Sequence, residues 1–437
     1  MSTCMSRRLS RPGSFAAAAL AAALIGATAL TGIGAVGSPA ASATPAPTTA
    51  PFATPNTDAC PQKTAPPPAI DSSEVPEPGE TAPAPLPVPS SPIGGDKLGA
   101  CGVVLPDGAG PVPPDISATA WVIADLDTGR VLAAKDPHGR YRPASTIKVL
   151  LAAVALRSLD LNKVVVGTQE DANADGTRVG IGAGGHYTNR QLMQGLIMAS
   201  GNDAAHAVAT QLGGEKATVA KMNELAERLH ALDTRAATPS GLDGPGMSTS
   251  AYDMAVLFRE AMTIPTFAEL IHTEQIDFPG FPANPQIPGD EDHPGFPIAN
   301  DNRLLYDYEG TLGGKTGYTD DARQTFVNAA ERNGHRLVVT LLQADVRPIR
   351  PPEQAARLLD YGFALASDAS VGSLPDGSAA SSNTNVAIAS PPPRDSGAAA
   401  PAQDHNENLL TVLIVGGLAA ALVLAVAAWR LSGRQRR

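Results

Sequence analysis

The order of the predicted secondary-structure elements indicates an α/β protein of the α+β type. We expect an antiparallel sheet with helices on both faces and an all-helical subregion. Two strands come first, a block of helices follows, and two more strands precede a terminal helix. Neighbouring strands joined by tight turns pair antiparallel, and amphipathic helices must cover the apolar faces of the sheet. These elements fall between residues 115 and 366 of a 437-residue chain.

Both pairs of strands are predicted from short apolar runs that flank a turn. Asp127-Thr128-Gly129 is the expected turn of the first pair, and Asn333-Gly334 is a strong hairpin signal in the second. The predicted strands are residues 120–124, 130–134, 324–331 and 335–343.

Apolar residues recur at helical spacing through the middle of this region. Pro143 precedes the first helix and Pro351-Pro352 precedes the last, as is usual at helix N-termini. The predicted helices are residues 145–156, 189–198, 203–212, 216–229 and 353–365.

Low-complexity segments flank the folded region on both sides. Residues 44–114 are rich in Pro, Ala and Thr, and residues 367–408 are rich in Pro, Ser and Ala. Such compositions bury too little apolar surface to fold alone. We therefore expect two extended spacers with the folded domain, residues 115–366, between them.

The two ends of the chain predict export and membrane anchorage. Residues 1–43 hold three arginines, a long apolar run and small residues at a cleavage site, the pattern of a secretory signal peptide. An uncleaved anchor is the alternative. Residues 409–429 are apolar, uncharged and long enough to cross a bilayer as a helix. Arginines in residues 430–437 predict a cytoplasmic tail, which puts the folded domain outside the cell membrane.

Charge and cysteine content exclude several classes of function. The formal net charge is −11, and a surface of this sign repels nucleic acid. Cys4 would leave with the signal peptide. Cys60 and Cys101 then form an even pair in an oxidising compartment, where we expect a disulfide, with free thiols as the alternative. Two cysteines alone cannot build a structural zinc site, and we predict no metal or cofactor.

The segment Ser145-Thr146-Ile147-Lys148 puts a hydroxyl and an amine one helical turn apart on one face. A serine hydroxyl is a weak nucleophile until a neighbouring base takes its proton. Lysine is such a base only where burial or a nearby cation lowers its pKa. The helix N-terminus adds N–H groups that suit a developing oxyanion. The segment therefore predicts a nucleophile and its base, although so short a motif also arises by chance.

Two further triplets carry candidate chemistry, and each is weak alone. Ser200-Gly201-Asn202 lies at a break between helices and offers a hydroxyl for proton transfer and an amide for a substrate carbonyl. Lys315-Thr316-Gly317 is expected to begin a strand, where its cation and hydroxyl suit a carboxylate and its glycine admits a substrate backbone. Ser381-Ser382-Asn383 also fits Ser-x-Asn, but it lies in the second spacer and follows the lysine triplet.

In this order, the three motifs resemble those of the penicillin-binding protein and serine β-lactamase superfamily. Longer segments resemble the low-molecular-mass D-alanyl-D-alanine carboxypeptidases, the S11 peptidases. The resemblance covers residues 115–366 and implies a β-lactamase/transpeptidase-like fold. The segments that carry it are residues 142–148, 199–205, 302–305, 315–319 and 358–363.

The resemblance implies a serine-type carboxypeptidase that releases the terminal D-alanine from peptidoglycan stem peptides ending in D-Ala-D-Ala. β-Lactam antibiotics would be covalent inhibitors, and no cofactor would take part. Ser145 would attack the penultimate D-alanine after Lys148 takes its proton, and Ser200 would relay that proton to the leaving amine. The implied substrate-binding residues are Asn202, Lys315, Thr316, Gly317 and Tyr318.

Three alternatives stay open. A D,D-endopeptidase or a serine β-lactamase shares the three motifs, but no Glu-x-x-x-Asn pattern that would position a deacylating water lies between the second and the third. A non-catalytic muropeptide sensor would predict loss of a catalytic group, and none is lost. Better-known S11 members carry a second, β-rich domain and an amphipathic anchor, which a spacer and an apolar run replace here.

Two acidic patterns are better explained as solvated turns or loops than as a catalytic or metal site. Asp127-Thr128-Gly129 and Asp395-Ser396-Gly397 look like half-sites of an aspartic protease, but the second lies in a spacer and cannot join a buried dyad. Asp290-Glu291-Asp292 lies in a Pro-rich loop, residues 278–297, which we expect to be an insertion beside the cleft. It lacks the alternating ligand spacing of a calcium loop, so we interpret it as solvated.

Overall fold

A computed structural model of the protein describes residues 52–376. Within this range a seven-stranded sheet carries the fold, and two small hairpins lie beside it. The strands are β1 (Val103–Val104), β2 (Ala120–Asp125), β3 (Arg130–Lys135), β4 (Val164–Val166), β5 (His186–Thr188), β6 (Gln275–Phe278), β7 (Phe296–Ala299), β8 (Thr311–Thr319), β9 (Arg323–Arg332), β10 (His335–Ala344) and β11 (Gly372–Ser373). The α-helices are α1 (Lys148–Ser158), α2 (Gln169–Ala172), α3 (Asn189–Met198), α4 (Asn202–Gln211), α5 (Glu215–Arg228), α6 (Ala251–Ala261), α7 (Pro265–His272), α8 (Leu304–Asp307) and α9 (Pro351–Ala364).

Every strand pair of the main sheet is antiparallel. The order is β1-β3-β2-β10-β9-β8, and β11 also pairs with β3. His335 faces Arg332 across the turn at Asn333-Gly334, so the hairpin predicted there is present. The first and last predicted strand pairs thus meet at the centre of the sheet, where β2 lies beside β10. The predicted fold class is confirmed.

The sheet has an apolar core on each face because its central strands alternate between the two sides. Val122 and Val338 belong to the larger core with α1 and α6. Their neighbours Ile123 and Val339 belong to the smaller core, where Leu358 of α9 packs. The terminal helix therefore covers one face of the sheet, and the helical block covers the other.

Several elements differ from the sequence prediction. The helix expected from residue 145 begins as a 3₁₀ turn, Ala144–Ile147, before α1. Lys315 lies in the middle of β8 and does not begin a strand. Strands β1, β4 to β7 and β11 and helices α2 and α6 to α8 were not predicted from the sequence. Helix α6 is buried almost all round.

The first Pro-rich segment is a spacer in the sequence prediction, but the structure packs it against the domain. We call residues 52–102 the N-terminal arm. Arg140 donates to the carbonyl oxygens of Thr64 and Leu86 at 2.9 and 2.5 Å, and Leu98 is fully buried. The arm has little core of its own, as its composition predicts, but buried cations of the domain satisfy its carbonyls. The expected boundaries at 115 and 366 also differ, because β1 and β11 lie beyond them.

Cys60 and Cys101 form a disulfide within the arm, with Cα atoms 5.2 Å apart. Among residues 52–376, no helix has the length and apolar character needed to cross a membrane. The predicted signal peptide, transmembrane helix and cytoplasmic tail lie outside the described residues, as does most of the second spacer.

Candidate active site

Ser145 lies on the 3₁₀ turn that leads into α1, and the preceding backbone is tightly held. The carbonyl oxygen of Pro143 accepts hydrogen bonds from the hydroxyls of Thr146 at 2.6 Å and Thr325 at 2.7 Å. Ala144 has φ +47°, a left-handed conformation that costs free energy in a residue with a Cβ. Gly241 packs against it, and a Cβ at 241 would lie 2.1 Å from the Ala144 oxygen. Tertiary contacts therefore fix the nucleophile's position.

Lys148 is fully buried directly behind Ser145. Its Nζ lies 2.7 Å from Ser145 Oγ and 2.7 Å from Asn202 Oδ1. Burial, and then the charge of Lys315, lower the pKa of Lys148 well below its usual range, against the attraction of Asp203 and Asp301. An amine of lowered pKa at this distance can take the serine proton. The structure thus brings together the predicted nucleophile and base.

Asn202 begins α4 and reaches both Lys148 and the preceding loop. Its backbone N–H donates to the Thr177 oxygen at 2.7 Å, and its Nδ2 donates to the Asp175 oxygen at 2.6 Å. Ser200, two residues earlier, is 7% exposed with φ +58°. Within residues 52–376 its hydroxyl makes no hydrogen bond, so the relay of a proton through Ser200 stays a prediction.

Strand β8 forms the opposite side of the site through Lys315, Thr316 and Gly317. Lys315 is 1% exposed, and its Nζ donates to the Thr316 oxygen at 2.8 Å. Burial lowers the pKa of Lys315 to about 8, although Asp301 opposes the shift. A Cβ on Gly317 would lie 2.9 Å from the Ser145 nitrogen, so glycine is required for this approach. The strand therefore runs directly beside the nucleophile's amide.

Tyr318 follows Gly317 and is 57% exposed. Its hydroxyl donates to Asp320 Oδ1 at 2.6 Å. The side chain is therefore held at the surface. A role for its backbone N–H in an oxyanion hole remains a prediction.

Sequence reasoning missed residues that hold the site together. Asp203 is fully buried and accepts hydrogen bonds from the amides of Val179 and Gly180 at 2.9 and 2.8 Å. An acid in the first turn of a helix was the available signal. Arg142 pairs with Glu74 of the arm at 2.5 Å, and no local pattern could have predicted a partner so distant in the chain.

The acidic patterns within the described residues do not lie at this site. Asp127 lies in a surface turn and pairs with Arg336. Asp290 and Asp292 accept amide hydrogen bonds within the loop between β6 and β7. Ser381 and Asp395 lie outside the described residues.

Comparison with known proteins identifies the family of this chain. Residues 108–346 match the model of the peptidase S11 family, described as D-alanyl-D-alanine carboxypeptidase. The D-alanyl-D-alanine carboxypeptidase DacB2 of Mycobacterium tuberculosis is 49% identical over 275 residues, which are 62% of this chain and 90% of that protein. DacD of Escherichia coli is 34% identical over 58% of this chain, but the match spans only 64% of DacD.

Solved structures of similar proteins share this fold. A D-alanyl-D-alanine carboxypeptidase from Mycobacterium tuberculosis has 48% sequence identity and a TM-score of 0.57, covering 62% of this chain and all of that chain. The Streptomyces K15 DD-transpeptidase has 27% identity and a TM-score of 0.54, covering 59% of this chain and all of the other.

Proposed function

Because the chain belongs to the peptidase S11 family of D-alanyl-D-alanine carboxypeptidases, we propose that it releases the terminal D-alanine of peptidoglycan stem peptides. The reaction passes through an acyl-enzyme on Ser145. The observation that carries this proposal is the 2.7 Å contact between Ser145 Oγ and a fully buried Lys148 whose pKa is lowered.

Acylation begins when Lys148 takes the hydroxyl proton of Ser145 and Oγ attacks the carbonyl of the penultimate D-alanine. The backbone N–H groups of Ser145 and Tyr318 stabilise the oxyanion. The peptide bond breaks, and the proton reaches the amine of the leaving D-alanine through Ser200. Water then attacks the ester, which releases the shortened peptide and regenerates the serine.

Substrate recognition follows from the two sides of the site. Lys315 and Thr316 bind the terminal carboxylate, since a buried ammonium and a hydroxyl are suited to that group. Asn202 holds the peptide from the opposite side, and Gly317 lets the substrate backbone lie close to β8. β-Lactams acylate the same serine and act as covalent inhibitors.

The experiment uses the full chain in detergent with a peptide that ends in D-Ala-D-Ala. We expect release of D-alanine and covalent labelling by a fluorescent penicillin. Ser145→Ala abolishes both signals, whereas Ser158→Ala at the far end of α1 keeps them. Absence of both signals in the wild-type protein would refute the proposal. Rapid turnover of penicillin would favour a β-lactamase, and cleavage of cross-linked muropeptides alone would favour an endopeptidase.

We also infer that the protein is exported and held at the cell membrane by residues 409–429, with the domain outside. The support is the pattern of basic, apolar and small residues at the two ends of the sequence. Removing residues 409–437 should move the protein from the membrane fraction to the soluble exported fraction. If the shortened chain stays with the membrane, residues 409–429 are not the anchor.

A further inference from the structure

The N-terminal arm contacts residues beside two of the three segments that carry the catalytic motifs. Glu74 Oε1 accepts a hydrogen bond from Arg142 Nε at 2.5 Å, and Arg142 lies three residues before the nucleophile. The backbone N–H of Ile70 donates to Asp321 Oδ1 at 2.7 Å, and Asp321 lies just beyond the end of β8. One short stretch of the arm thus connects the start of the nucleophile segment with the end of the strand that carries Lys315.

Glu74 is the hydrogen-bond partner of the Arg142 side chain. Arg142 is 2% exposed, and Glu74 accepts the one hydrogen bond that its side chain makes within residues 52–376. Its Nη1 is buried without a partner in that range. Burial opposes the charge, but the hydrogen bond and charge of Glu74, with help from Asp321 and Asp243, raise the pKa of Arg142. Neutralising Glu74 leaves this buried cation without its hydrogen-bonded anion.

The backbone between Arg142 and Ser145 has little freedom to absorb a displacement. The Pro143 oxygen is held by two hydroxyls, and Ala144 is already in a left-handed conformation. Gly241 closes the other side of Ala144. Arg142 and Ser145 are therefore joined by a short backbone whose conformation is held on both sides.

Other contacts dock the arm independently of Glu74. The disulfide between Cys60 and Cys101 closes the arm into a loop. Arg140 donates to the oxygens of Thr64 and Leu86, and His138 bonds to the Ile93 oxygen at 3.0 Å. Loss of the Glu74 charge therefore leaves the arm in place, and its effect can be separated from loss of the arm.

We propose that Glu74 of the N-terminal arm is a positioning residue for the acylation reaction, holding Ser145 in its attacking geometry through Arg142. The proposal rests on the function proposed above. Glu74 touches no reacting atom, so it acts on the geometry of attack. A misplacement of about 1 Å in a reacting group can cost about 100-fold in rate. The Pro-rich arm is then a part of the catalytic apparatus.

The test compares Glu74→Gln with Glu77→Gln in the full chain. Glu77 is exposed on the same arm, and its side chain makes no hydrogen bond or ion pair within residues 52–376. We expect Glu74→Gln to lower the second-order rate of penicillin acylation and the kcat for D-alanine release about tenfold, with KM changed less than twofold. Glu77→Gln should match the wild type in all three. Rates are normalised to the fraction of protein that is eventually labelled, so partial unfolding does not count as lost activity.

Glu74→Asp provides a second test if Glu74→Gln folds poorly, and a double variant tests the link between Glu74 and Arg142. Glu74→Asp keeps the charge but shortens the side chain, and it should recover part of the loss in kcat. Adding Glu74→Gln to Arg142→Lys should cause less than a twofold further loss, because the two residues act as one unit. Wild-type acylation rates in folded Glu74→Gln, a loss confined to KM, or additive losses in the double variant would overturn the positioning role. Absence of D-alanine release from the wild-type protein would instead overturn the proposed function.

Discussion

Two groups of largely buried ionisable side chains differ in how their charges are paired. The active-site group contains Lys148 and Lys315, both almost completely inaccessible to solvent. The arm-docking group contains His138, Arg140 and Asp233, of which Arg140 is 1% exposed. Asp233 accepts from Arg140 Nε at 3.1 Å and lies 2.8 Å from His138 Nδ1, whereas neither lysine forms an ion pair with a carboxylate within residues 52–376.

The difference in pairing decides what each group can do. Burial without a paired carboxylate lowers the pKa of both lysines, so one of them can lose its proton and act as a base. In the arm-docking group, the hydrogen bond and charge of Asp233 overcome the effect of burial and raise the pKa of His138. Burial, and then the charge of Asp233, raise the pKa of Asp253 to about 8. Unpaired charges thus provide reactivity, and paired charges hold the arm.

The largest expected effect comes from keeping a permanent cation at the position of Lys148. An arginine cannot be deprotonated in a protein, so Lys148→Arg removes the base while retaining the charge. We expect the second-order rate of penicillin acylation to fall about 1000-fold, within the range for general-base catalysis. The exposed Lys163→Arg is the matched control and should acylate normally. A loss of less than tenfold in Lys148→Arg would show that Lys148 is not the base.

Breaking a pair in the arm-docking group should affect stability first. Asp233→Ala leaves Arg140 buried without its carboxylate, and we expect the free energy of unfolding to fall by about 3 kcal/mol. Asp253 can ionise in part to replace the lost charge, which limits the cost. Denaturant unfolding measures the change, with Asp127→Ala in the exposed pair with Arg336 as a control that costs less than about 1 kcal/mol. A loss of acylation as large as that in Lys148→Arg would contradict the division between the two groups.

A smaller effect is expected in the pH dependence of acylation. Lys148 must be neutral to act, so the rate rises as pH increases through its lowered pKa. Lys315 must keep its proton to bind a carboxylate, so the rate falls again as pH rises through about 8. Each limb should change the rate by about tenfold per pH unit at its steepest. Acylation by a penicillin, followed while circular dichroism confirms folding, should give a bell-shaped profile. A rate that stays constant as pH rises through about 8 would exclude the role of Lys315. A rate that does not fall at acid pH in the folded protein would exclude Lys148 as the base.

Much of the site was predictable because its chemistry is encoded in short segments. Ser145 and Lys148 lie three residues apart, so local geometry alone brings them to one face. The order of the three motifs indicated the family, which the comparisons confirm. The prediction of a free spacer was wrong because composition reports only the apolar content of the arm. The groups that bind the arm, such as Arg140, belong to the domain.

The sequence by itself determined the nucleophile and its neighbour, the hairpins at the centre of the sheet, and the cysteines available for a disulfide, because each depends on residue type and short spacing. It also predicts the signal peptide and membrane anchor, which lie outside the described residues. Only the tertiary structure decided that Asn202 meets Lys148, that Gly317 approaches the amide of Ser145, and that Glu74 reaches Arg142. The lowered pKa of Lys148 also belongs to the tertiary structure, because burial and the charge of Lys315 come from distant parts of the chain.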